Sequence, residues 1–62
     1  MEQVIAKCES MKAAERIVLF VARVGGYQVS QAGEYPVFSK GRETLTIRRD
    51  GENYLIIASD GQ

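Results

Sequence analysis

Residues 2 to 24 run without glycine or proline, are rich in Ala, Glu, Lys, Arg and Met, and stop at Gly25-Gly26. Apolar positions recur there at helical spacing and a double glycine is a strong helix stop, so the pattern predicts one long helix over 2–24. On a helical wheel Val4, Cys8, Met11, Val18 and Ala22 form one stripe, and Ala6, Ala13, Ile17, Phe20 and Val24 form another. Two stripes ask for two contacts. One packs on the sheet of the same chain, and the second needs more of that sheet or a partner. The opening also fits a strand, since Val4, Ala6 and Cys8 alternate with Ile5 and Lys7, with Ser10 then serving as N-cap of a helix that begins after it. The β-branched run 17–24 fits a strand by periodicity alone, but the preceding Ala13-Ala14-Glu15-Arg16 argues for helix.

Past the glycines, Tyr27 to Gln31 alternates like a strand, and Ala32-Gly33 supplies a turn before Tyr35-Pro36-Val37-Phe38, which Pro36 restricts to an edge or an extended loop. Lys40-Gly41-Arg42 is a polar turn. The clearest hairpin runs from Glu43 to Arg49, through Asp50-Gly51, and back along Glu52 to Ser59. Its loop length decides which side chains share a face. A three-residue loop groups Leu45, Ile47, Leu55 and Ile57, with Thr44, Thr46, Arg48, Tyr54, Ile56 and Ala58 opposite. A two-residue loop groups Leu45, Ile47, Tyr54 and Ile56 and leaves Leu55 and Ile57 on the second face. Either way both faces stay partly apolar. Asp60-Gly61-Gln62 is expected to fray. The expected fold is α+β: one long N-terminal helix packed on a small three-stranded antiparallel sheet that ends in a C-terminal β-hairpin, a single domain over 1–62.

Length sharpens this picture. A chain of 62 residues buries only about 60% of the surface its unfolded form exposes. Apolar residues at 45% and charged ones at 26%, with one proline, describe an ordered domain, but one with a thin core. Small domains often add a disulfide, a metal or a partner. The single cysteine, Cys8, cannot close an internal disulfide and suits a reducing cytoplasm. With no histidine and scattered acids, no metal site or cofactor is expected, which leaves association. Eight basic residues balance eight acidic ones, so no overall field draws the chain to nucleic acid or an anionic membrane. The longest apolar run, 17–22, is far short of the ~20 residues that span a bilayer, and the Met1-Glu2-Gln3 opening lacks the features of a signal peptide.

Absence of histidine excludes the common nucleophile–base triads, and the glycines match neither a phosphate-binding loop nor a dinucleotide fingerprint. Cys8, in an apolar stripe, is expected to be packed and inert rather than a nucleophile. The sequence therefore points away from an enzyme. It points to a small protein-binding module or regulator of bacterial or phage type, expected to be a cytoplasmic homodimer, with Val4, Cys8, Met11, Val18 and Ile56 as candidate interface residues. The alternative is nucleic-acid binding. Lys40, Arg42, Arg48 and Arg49 cluster with only Glu43 against them, and Tyr54 could supply a stacking ring beside them. A helix ending in Gly25-Gly26-Tyr27, then a strand and a hairpin, resembles in element order the modules that bind double-stranded RNA or cleave messenger RNA as toxins. Those toxins rely on a histidine that is missing here, and both groups end in a second helix for which there is no candidate segment, so no family is assigned.

Ile47 falls on an apolar face in either register. Ile47→Asp is expected to abolish the cooperative thermal melt, because a buried, unpaired carboxylate costs several kcal/mol; a retained cooperative transition would remove Ile47 from the core.

Overall fold

Six elements follow one another in the computed structural model, which describes residues 1–61: β1 (Glu2–Cys8), α1 (Met11–Gly25), β2 (Gln28–Gln31), β3 (Val37–Lys40), β4 (Glu43–Asp50) and β5 (Asn53–Ser59). The α+β class holds, with one helix and one antiparallel sheet. Two expectations are corrected. The helix covers Met11–Gly25 rather than 2–24, and the sheet has five strands, not three, in the order β1-β5-β4-β3-β2. One cause lies behind part of both differences. Residues 2–8 have no helix breaker, but β5 has a free edge, and pairing along it from Glu2↔Ser59 to Cys8↔Tyr54 draws them into the sheet. The strand alternative, with Ser10 as N-cap, is the one observed.

The caps of α1 are complete at both ends. Ser10 Oγ accepts a hydrogen bond from the Ala13 amide at 3.1 Å and occupies an extended conformation outside the helix. At the other end Gly26 adopts a left-handed φ of 79°. From there the Gly26 amide donates to the Arg23 carbonyl, and the Tyr27 amide donates to that of Ala22 at 2.8 Å, a Schellman ending. Lys40 Nζ donates to the Gly25 carbonyl at 2.8 Å, placing a cation at the negative end of the helix.

β2 to β5 form a meander. Lys40↔Glu43 and Asp50↔Asn53 close two-residue loops whose first residues, Gly41 and Gly51, have φ of 61° and 63°. Among the described residues only glycines have positive φ, so both loops meet the type II′ requirement rather than type I′. The tight loop settles the hairpin parity. Leu45↔Ala58, Ile47↔Ile56 and Arg49↔Tyr54 share the helix-facing side, and Thr44, Thr46, Arg48, Leu55, Ile57 and Ser59 take the open side. Pro36 sits just before β3, outside the ladder, and its carbonyl accepts from Thr46 Oγ1 at 3.0 Å. β3 is thus an inner strand, and the proline restriction falls on its approach. Each edge strand carries an irregularity, β1 around Ile5 and β2 around Ser30, and such breaks blunt an edge against pairing with another chain.

α1 packs on β4, β5 and β1 through Ala14, Val18 and Ala22, all buried. Their small side chains let the helix approach Leu45, Ile47 and Ile56 closely, with Cys8 and Phe38 completing the core. Ala14, outside both stripes drawn for a helix over 2–24, belongs to the central contact. A helix about 10 Å wide covers two or three strands spaced ~4.8 Å apart. Five strands therefore leave β2 beyond its reach, and Val29 stays exposed although it pairs with core Phe38.

The expected fraying falls partly on Gln62, which lies outside the described residues. Asp60 instead pairs with the Met1 ammonium. Ser10→Ala is expected to lower stability by about 1 kcal/mol through loss of the N-cap, read as a lower urea midpoint at unchanged slope; an unchanged midpoint would contradict the cap.

Candidate interaction surfaces

The first surface is the outside of α1. With Val18 turned to the sheet, helical spacing puts Ala13, Ile17, Phe20 and Val24 on one outer stripe, in which Ala13 is half-buried against the core and Ile17, Phe20 and Val24 are 39%, 67% and 72% exposed. Their steps of four, three and four residues make a narrow seam of the kind that receives another helix. Arg16 and Arg23 border it beside Phe20, and Lys12 lies further along the same flank. Beyond them exposed Leu19 overlooks a hollow of about 220 Å³ lined also by Ala22, Arg23, Tyr27, Val29 and Phe38.

The second surface is the open side of the sheet. Val4 is exposed there and Val37 and Leu55 are half-buried, yet Ile57 in the middle is only 3% exposed. The irregularity in β1 explains this. Val4 pairs with Ile57 but Ala6 pairs with Ile56, so passing Ile5 moves the strand from the open face to the helix face. Glu2 therefore also points to the open side. Arg48, two strands away on β4, reaches it with a forked contact, Nη1 to Oε1 at 3.1 Å and Nη2 to Oε2 at 2.9 Å. By register this fork crosses β5 at Ile57 and shields it. The Arg48 hydrogen bonds and then its charge hold the Glu2 carboxyl below its ordinary 4.5.

A third cluster ties the end of α1 to the β3–β4 turn. Tyr27 lies against Gly25, where a Cβ would come within 2.8 Å of its ring, and its hydroxyl donates to Glu43 Oε1 at 2.9 Å. Partial burial, and then the Glu43 contact, raise the phenol above its ordinary 10.0. Together with Lys40 on Gly25 this is a structural clasp. A nearby hollow of about 530 Å³ is lined by the Ser59 hydroxyl, which accepts from the Gly61 amide at 3.3 Å, and by Glu2, Glu43 and Asp60, whose carboxylates meet Arg48, Tyr27 and the Met1 ammonium. No group of three metal-ligating side chains gathers among the described residues.

Of the interface candidates, Cys8, Val18 and Ile56 lie buried in the core, Met11 is half-buried against it, and Val4 alone is exposed, on the open sheet face. The cationic candidates do not form one surface. Arg48 is on the open face with Glu2. Arg49 faces the other way, its guanidinium 5.9 Å from the Tyr54 ring centroid and its Nε donating to the Gly51 carbonyl at 3.0 Å. Lys40 caps α1, and Arg42 is exposed in the turn. The second helical stripe of the sequence pattern is the exposed side of α1, and a heptad count along Ala13, Ile17, Phe20 and Val24 also finds Arg16 and Arg23 as its flank.

No protein-family model, curated protein or solved structure matches the chain. No described helix is long and apolar enough to cross a membrane.

Because folding lowers the Glu2 pKa, its contribution to stability is present above the ordinary carboxylate pKa and disappears as pH falls through the lower folded value. Wild type is expected to melt above Glu2→Gln at pH 7, with the gap closing towards pH 2; a gap independent of pH would contradict the Arg48 contact.

Proposed function

We propose that this chain is a non-enzymatic protein-binding module and that the outer face of α1 is its binding surface. The observation that carries this is the division of the helix. Ala14, Val18 and Ala22 hold it to the sheet, while Ile17, Phe20 and Val24 on the far side contribute little to the chain's own core. Exposed apolar groups scattered singly need no explanation, but a seam in helical register beside unpaired cations is suited to a partner. A standard interface takes about 800 Å² from each side, so contact would extend past the seam onto Leu19 and Val29.

Self-association is a second reading, favoured by the open sheet face, where Val4, Val37 and Leu55 surround the Glu2–Arg48 fork. Nucleic-acid binding through Lys40, Arg42, Arg48, Arg49 and Tyr54 draws less support, because those side chains point to different faces and three of the cations already have partners within the chain.

Phe20→Glu tests the main proposal. It is expected to change stability by no more than about 0.5 kcal/mol, as surface substitutions do, while abolishing capture of a partner protein from extracts of the source cell. Equal capture by wild type and variant would reject the outer face of α1. Sedimentation velocity reads the second possibility: the isolated chain runs as a dimer only if it pairs with itself.

A further inference from the structure

The three cations of α1, like Lys7 on β1, differ from the basic residues that the sheet engages. Lys40, Arg48 and Arg49 spend their donors inside the chain, whereas the side chains of Lys12, Arg16 and Arg23 make no hydrogen bond or ion pair among the described residues. The helix has one acidic residue, Glu15, and helical spacing places it past the cations and Leu19, next to the core stripe and away from the seam. The seam thus has a purely basic border. Arg16 and Arg23, seven residues apart, occupy the same position on successive double turns and project beside Phe20.

This pattern selects among occupants. A second copy laid antiparallel on the seam would set Arg16 against Arg23 of its mate, like against like at both ends. A lipid surface needs a broad apolar arc, but here the three cations interrupt the outer face between Leu19 and Phe20, leaving a seam one helix wide. From the two properties together we infer that the outer face of α1 docks an amphipathic helix of another protein, with apolar residues in the seam and acidic residues facing Arg16 and Arg23. The inference rests on the protein-binding function proposed above and names the chemistry of its partner.

The test uses the full chain and two designed heptad peptides with the same isoleucine–leucine seam, one flanked by glutamate and the other by lysine. Nuclear magnetic resonance titration is expected to place the glutamate peptide on Ala13, Ile17, Phe20 and Val24, with affinity roughly ten-fold or more above that of the lysine twin, a margin that narrows as salt rises. Joint substitution Arg16→Glu and Arg23→Glu, both at exposed sites, should reverse the preference with the melt retained. Equal affinity for the two peptides, binding mapped to the open sheet face, or shifts at the seam produced by phosphatidylserine vesicles or an RNA oligomer but not by the glutamate peptide would overturn the inference. If neither peptide binds while Phe20-dependent capture of a partner persists, the acidic helix is wrong and the protein-binding proposal stands; loss of both rejects both.

Discussion

The close contact of Ala14, Val18 and Ala22 with Leu45, Ile47 and Ile56 determines the rest of the molecule. Because helical side chains repeat every 3.6 residues, fixing three of them against the sheet fixes the direction of all the others. Ile17, Phe20 and Val24 then have to face outward, and Arg16 and Arg23 have to border them. Small residues at the contact bring the helix down onto the sheet, and the caps at Ser10 and Gly26 define where it starts and stops. One helix cannot cover five strands, so a chain this short keeps apolar surface at Val29 and on its open side.

That open side is managed by a different device. The irregularity at Ile5 changes which face β1 presents, and it serves two purposes with one residue. It sends Ala6 and Cys8 into the core beneath α1, and it leaves Glu2 and Val4 on the other side of the sheet. Glu2 can then meet Arg48 across β5 and shield Ile57. An exposed ion pair contributes little stability by itself. Its value here lies in the apolar side chain it shelters and in fixing the outer strand over its neighbour. The two faces of the domain are therefore unequal: the sheet face is partly closed by its own charges, while Lys12, Arg16 and Arg23 on the outside of α1 have no partners among the described residues.

How much of this could be read from the chain follows from how local each feature is. The β4–β5 hairpin was legible because Asp50-Gly51 and the flanking alternation sit within a few residues of one another, and only the loop length was left open. The helix stop was legible for the same reason, since Gly25-Gly26 carries its own conformational requirement. β1 was not. Residues 2–8 have no decisive local preference, and what makes them a strand is β5, some fifty residues away in sequence. Reading them as helix drew Val4 and Cys8 into one helical stripe, whereas Cys8 is buried in the core and Val4 lies on the open sheet face; the stripe of Ala13, Ile17, Phe20 and Val24 survived because all four lie within α1. The basic candidates failed to assemble because a strand alternates its faces: Arg48 and Arg49 are neighbours in sequence and opposites in space.

Solvent accessibility of the α1 side chains in the isolated protein tests the central claim most directly, and relaxation enhancement of their methyl and ring protons by an inert soluble paramagnet measures it. The structure predicts strong enhancement at Ile17, Phe20 and Val24 and near-complete protection at Ala14, Val18 and Ala22. Protection of Ile17, Phe20 and Val24 in the free chain would mean that the seam is already covered, by this chain or by a second copy, and would contradict a helix held on one side and open on the other.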